Sequence, residues 1–76
     1  MNKARRKRVD EVIQRIEELK GEIEEILDEE TEYRDNIPEN MQQSERYENA
    51  DTNCENLQSA IDNIEDVVSS LEESQY

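Results

Sequence analysis

The chain has no histidine, tryptophan or phenylalanine, and only one cysteine, one glycine and one proline among its 76 residues. Without histidine it lacks the usual general base, the Cys-His and Ser-His nucleophile arrangements, and the Glu-x-x-His ligands of carboxylate-bridged metal bundles. An enzyme is not expected, and no catalytic, cofactor-binding or metal-ligating residue is assigned. Acid pairs such as Glu17-Glu18 and Glu24-Glu25 come without the Asp-rich loop and turn glycine of an oxygen cage for a cation. A single cysteine, Cys54, cannot close a disulfide within the chain, so a reducing, cytoplasmic setting fits, with Cys54 a small buried hydrophobe. Long apolar runs are absent too. Lys3, Arg5, Arg6, Lys7 and Arg8 resemble the start of a signal peptide, but Asp10 and Glu11 interrupt the apolar stretch that must follow, so neither export signal nor membrane span is expected.

What the chain does have is charge and helical periodicity. Charged residues make up 41% and hydrophobic residues 32%, proportions typical of coiled coils and long helices. Disordered acidic segments share the charge but lack sustained apolar spacing. Here the spacing runs through both halves. In the first, Val9, Ile16 and Ile23 occupy heptad position a, with Glu30 in line, and Val12, Leu19, Ile26 and Tyr33 occupy d. In the second, Tyr47, Cys54, Ile61 and Val68 are at a, and Ala50, Leu57, Ile64 and Leu71 at d. The two stripes pair with a constant residue sum of 80, from Val9 with Leu71 to Tyr33 with Tyr47, as an antiparallel helix pair requires. The turn centres near Asn40.

This pattern predicts one all-α domain over residues 1–76, an antiparallel two-helix hairpin: a basic tip at 1–8, helix 1 over about 3–34, a turn over 35–43 and helix 2 over about 44–74. Pro38 disfavours helical geometry at Ile37, and Ser44 is a good N-cap with Glu45 and Glu48 behind it at the positive end of the helix dipole. Ile37 and Met41 are expected to cover the closed end. Across the e edge, Arg6 meets Glu72, Lys20 meets Glu65 and Arg34 meets Asp51, pairs that specify orientation more than they stabilise. Gly21 falls at the exposed f position. A bare hairpin gives each seam residue one neighbouring helix, so a homodimer forming a four-helix bundle is expected. Its interface is not chosen by the pattern, because Ile13 and Leu27 widen the seam on the e edge while Ala60 and Val67 widen it on the g edge.

Charge is unevenly spread. Residues 1–8 hold five bases and no acid, whereas residues 9–76 hold 22 acids and four bases. Twelve acids fall within residues 10–35, about one per ~3.3 Å of helix axis, close to the ~3.4 Å phosphate spacing of one DNA strand. Glu17, Glu18, Glu24, Glu25, Asp28 and Glu32 are thus candidate partner-binding residues, a surface able to imitate a nucleic-acid backbone in the basic groove of another protein. A solvated face that only keeps the chain soluble is the plainer alternative. The basic tip either touches phosphates or is neutralised by Glu72, Glu73 and the C-terminal carboxylate alongside; direct nucleic-acid binding is disfavoured by repulsion from the acidic body. Glu30 reads as a register-fixing interruption, within reach of a tyrosine hydroxyl, or as a weak point where a partner inserts. Asn49, Asn56 and Asn63 recur at position c, an uncharged row.

The turn and its flanks, from Tyr33-Arg34-Asp35-Asn36-Ile37-Pro38-Glu39 through Asn40-Met41-Gln42-Gln43-Ser44-Glu45-Arg46-Tyr47-Glu48, followed by an acidic amphipathic helix, resemble small helical proteins encoded by phages and mobile elements of Gram-positive bacteria. The resemblance implies a cytoplasmic protein of the host cell, in a setting where small acidic proteins inhibit nucleases, restriction or CRISPR systems. Three functions follow as expectations: an acidic protein-binding inhibitor, a coiled coil that only self-associates, and a nucleic-acid contact through the basic tip.

Overall fold

The computed structural model describes every residue from Met1 to Tyr76. Two helices, α1 over Lys3–Asp35 and α2 over Glu45–Glu73, are joined by a connection containing one short 3₁₀ turn, Glu39–Met41. There are no strands. The pair is all-helical and 59 Å long by 15 and 12 Å across. Length follows from sequence: a 33-residue helix at ~1.5 Å per residue is about 50 Å.

Local chemistry sets each helix end. The Asn2 side chain accepts a bond from the Arg5 amide at 2.8 Å, and the Ser44 hydroxyl accepts from the Tyr47 amide at 3.3 Å, satisfying donors that the first turns leave free. Glu45 and Glu48 in the first turn of α2 and Arg34 in the last turn of α1 suit the helix dipoles. The opposite ends do not: α1 opens without an acid and α2 closes without a base. Because these two ends lie side by side in the hairpin, the charges unfavourable to each dipole face each other, and the Met1 amino group donates to a main-chain oxygen of Tyr76 at 2.6 Å.

Five residues are buried: Ile37 in the turn and Ala50, Cys54, Ile61 and Val68 on α2. Helix α1 buries none completely. The reason is that α1 is rotated about its axis, so that its a and e columns, not a and d, face α2. Val9, Ile16, Ile23 and Glu30 at a and Ile13, Lys20, Leu27 and Arg34 at e are all half-buried. Of the d column only Val12 is half-buried; Leu19 is 55% exposed, Ile26 50% and Tyr33 44%. These three seam assignments are therefore corrected to the rim. On the e side Ile13 and Leu27 are half-buried and Lys20 and Arg34 reach acids of α2, whereas the g column beyond d offers Arg15, Glu22 and Glu29. On α2 the seam positions Tyr47, Leu57, Ile64 and Leu71 are half-buried beside the four buried ones.

Ion pairs follow the rotation. Lys20 Nζ lies 3.9 Å from Glu65 and 3.5 Å from Glu17, and Arg34 Nη1 lies 2.9 Å from Asp51. Arg6 and Glu72 form no ion pair. The Arg34 pKa is raised, first by its side-chain bond to Asp35, against a smaller opposing effect of desolvation, and then by its bond to Asp51. A guanidinium is already charged at any accessible pH, so this raised value carries no pH-dependent stability. At the closed end Ile37 is 2% exposed but Met41 is 45% exposed, since the 3₁₀ turn points Met41 outward.

Gly21 sits in mid-helix with open space around it: a Cβ added there meets nothing within 4 Å. Gly21→Ala is expected to raise stability by ~1 kcal/mol. Ile61→Ala should lower it by ~2–5 kcal/mol, most of the ~3–5 kcal/mol available to a core this small. Urea titrations followed by circular dichroism measure both.

Candidate functional site

The outer face of α1 points away from α2: columns f and c lie opposite the a and e columns that form the seam, and column b lies on the flank beside e. Glu17, Glu18, Glu24, Glu25, Asp28 and Glu32 are all exposed there. Only Glu17 has a cation within ion-pair distance, Lys20 at 3.5 Å. From Glu17 to Glu32 the row extends about 22 Å along the axis. Such a row produces a negative potential that attracts basic surfaces over a Debye length and weakens with salt. No group of three or more acids or cysteines is arranged to hold a metal ion. No helix is long and apolar enough to cross a membrane.

The basic tip meets the C-terminus through the Met1 amino group, which donates to Tyr76, and not through its side chains. Lys3, Arg5, Arg6, Lys7 and Arg8 are all exposed and none forms an ion pair with Glu72 or Glu73. Instead Gln75 donates from Nε2 to Asp10 at 2.7 Å, linking the two helix ends through neutral and acidic groups. Arg5, Arg8 and Arg15 flank a shallow depression of about 320 Å³ whose apolar floor is Val9, Val12 and Leu71.

Glu30 meets an amide, not a tyrosine: Asn53 Nδ2 donates to its carboxylate at 2.9 Å. A carboxylate in the seam keeps one side at water and satisfies the other with this bond, so the interruption costs little. Asn53 lies at g, beside the a and d positions, so this bond falls outside heptad pairing. Cys54 is buried without a disulfide, and Thr31 Oγ1 lies 3.6 Å from its sulfur. Arg46 stacks over the Tyr33 ring, 5.4 Å from its centre.

No protein-family model matches the chain, and neither a curated protein nor a solved structure is detectably similar to it. The chain's own surfaces therefore carry the functional argument. Two of them stand out: the acidic outer face of α1, and the apolar side left open by the rotation of α1.

Burial of Cys54 gives a direct probe of hairpin opening. A thiol-specific reagent is expected to label the folded chain at least tenfold more slowly than the urea-unfolded chain, reagent access being limited by opening of the helices. Equal rates would show that the seam does not enclose residue 54.

Proposed function

We propose that this protein is an acidic binding module that presents the outer face of α1 to a basic nucleic-acid-binding protein and blocks it. The supporting observation is the exposed row Glu17, Glu18, Glu24, Glu25, Asp28 and Glu32, of which five have no ion-pair partner. A carboxylate row uncommitted within its own molecule remains free for cations of another. Helical rigidity helps, because the charges are held at fixed spacing and a partner's lysines and arginines need not order a flexible chain. Six carboxylates over about 22 Å of axis form a line of negative charge that suits a groove built for a nucleic-acid strand. In the phage or mobile-element setting implied by the turn sequence, the blocked protein is a nuclease or defence protein in the cytoplasm of the host.

A second reading, self-association as the whole function, is favoured by the exposure of Leu19, Ile26 and Val67. In that reading the acids only keep the assembly soluble. The two readings respond differently to mutation.

Replacing Glu17, Glu18, Glu24 and Glu25 together by Gln leaves the seam intact and helicity unchanged, because none of the four packs against α2. Binding to the basic partner, captured from host lysate and eluted with a salt gradient, should weaken at least tenfold, about 1.4 kcal/mol. Unchanged retention by the quadruple variant removes the acidic-face reading. Leu19→Asp, by contrast, should abolish self-association while leaving the outer face as it was.

A further inference from the structure

The rotation of α1 opens one side of the hairpin, the side formed by columns d and g. Leu19, Ile26 and Tyr33 of α1 lie there with Val67 of α2, each 44% exposed or more. Charge on α2 is segregated around this side. Every acid from Glu45 to Glu73 falls at b, e or f, and columns c and g hold Asn49, Asn56, Asn63, Ala60 and Val67 instead. In so acidic a chain, two adjacent columns without a carboxylate beside an exposed apolar stripe describe a surface that is covered.

The areas agree with that description. The chain exposes 5887 Å², whereas a compact monomer of 9.0 kDa exposes about 4,900 Å². The excess of about 1,000 Å² comes with the rod shape, and it leaves room for the ~800 Å² per partner of a standard interface.

Identity and orientation of the occupant come from column g of α1, where Arg8, Arg15, Glu22 and Glu29 are exposed and form no ion pair within the chain. Two positive charges precede two negative ones at seven-residue spacing. This order is self-complementary when the helix meets a reversed copy of itself: Arg8 opposes Glu29 and Arg15 opposes Glu22, each pair summing to 37. The two-fold axis then passes beside Leu19. We propose that the d and g side is covered by a second copy of this chain, α1 against α1 and α2 against α2, with the two turns at opposite ends of a four-helix bundle.

Two further features fit this arrangement. Tyr33 of each copy falls level with Arg5 of the other, at the apolar depression flanked by Arg5, Arg8 and Arg15. Finally, the basic tips end up at opposite ends. In the alternative dimer, with α1 over α2 of the copy and both turns at one end, the two five-cation tips would be side by side and Arg15 would face Val67.

The test is a charge exchange read by sedimentation equilibrium at low salt. Arg15→Glu and Glu22→Arg should each weaken the dimer by about tenfold, since each places like charges together twice by symmetry. The double variant should return to within about threefold of the original. Residues 15 and 22 are two helical turns apart and do not touch within one chain, so recovery reports contact between chains. A dimer in which the double variant is as weak as the two single changes combined overturns the orientation. A chain that stays monomeric at millimolar concentration overturns the dimer, and neither result bears on the acidic outer face, which is tested by partner capture.

Discussion

One seam between two helices is the constraint from which the rest of this structure follows. A helix in a hairpin has a single neighbour, and only a strip of its surface can be taken out of water. Helix α1 carries three apolar columns, at a, d and part of e, and one neighbour cannot cover all of them. Column e lies inward beside a, with Ile13 and Leu27 half-buried and Lys20 and Arg34 reaching acids across the edge. Column d is left at the rim. Helix α2, with its small Ala50 and Cys54 beneath α1, buries four residues against none for α1. Ile37 closes the far end, and the chain ends as a rod with a radius of gyration of 17.4 Å, against about 11 Å for a compact domain of its length.

The same constraint separates the surfaces that can act. Fixing columns a and e inward leaves b, f and c on the flank and outer face, and these hold nine of the twelve carboxylates of residues 10–35. It also sets columns d and g to one side, where α2 contributes no carboxylate. An acidic face and an apolar face on different sides of a 12–15 Å rod can be occupied at once. A bundle of two hairpins would present two acidic rows to a partner. Stability and charge are linked here: an isolated hairpin of net charge −13 repels itself, and burying the remaining apolar stripe supplies a counterweight.

Much of this was legible in residue order alone. The apolar periodicity pointed to the hairpin, Ser44 marked the start of α2, and the facing signs of Lys20 with Glu65 and Arg34 with Asp51 gave the e edge, but contacts across the seam join residues whose numbers sum to 83–85, about one turn from the expected 80. The rotation was not, because heptad letters give a and d equal weight. By apolar content column d, with Val12, Leu19, Ile26 and Tyr33, outranks column e, where Ile13 and Leu27 alternate with Lys20 and Arg34, so the count of apolar residues points to the wrong column; what e has and d lacks is the pair of cations that meet Glu65 and Asp51. Glu30 was placed correctly in the seam, but its partner Asn53 lies in a column that pattern reading treats as solvent. Arg6 with Glu72 failed because their numbers sum to 78, a heptad short of the 85 shared by Lys20–Glu65 and Arg34–Asp51, which separates them by about two helical turns along the axis. Met41 left the closed end for a backbone reason, the 3₁₀ turn after Pro38.

The central claim is that the hairpin seam excludes Leu19 and Ile26 and leaves them to a second chain. Isotope-filtered nuclear Overhauser spectra on an equal mixture of labelled and unlabelled protein test it most directly, since they separate contacts within a chain from contacts between chains. The expected result is that the methyl groups of Leu19 and Ile26 show contacts between chains, and those of Ile13 and Leu27 contacts to α2 of their own chain. Leu19 and Ile26 methyl contacts found only within one chain, with Ile13 and Leu27 facing water, would contradict it.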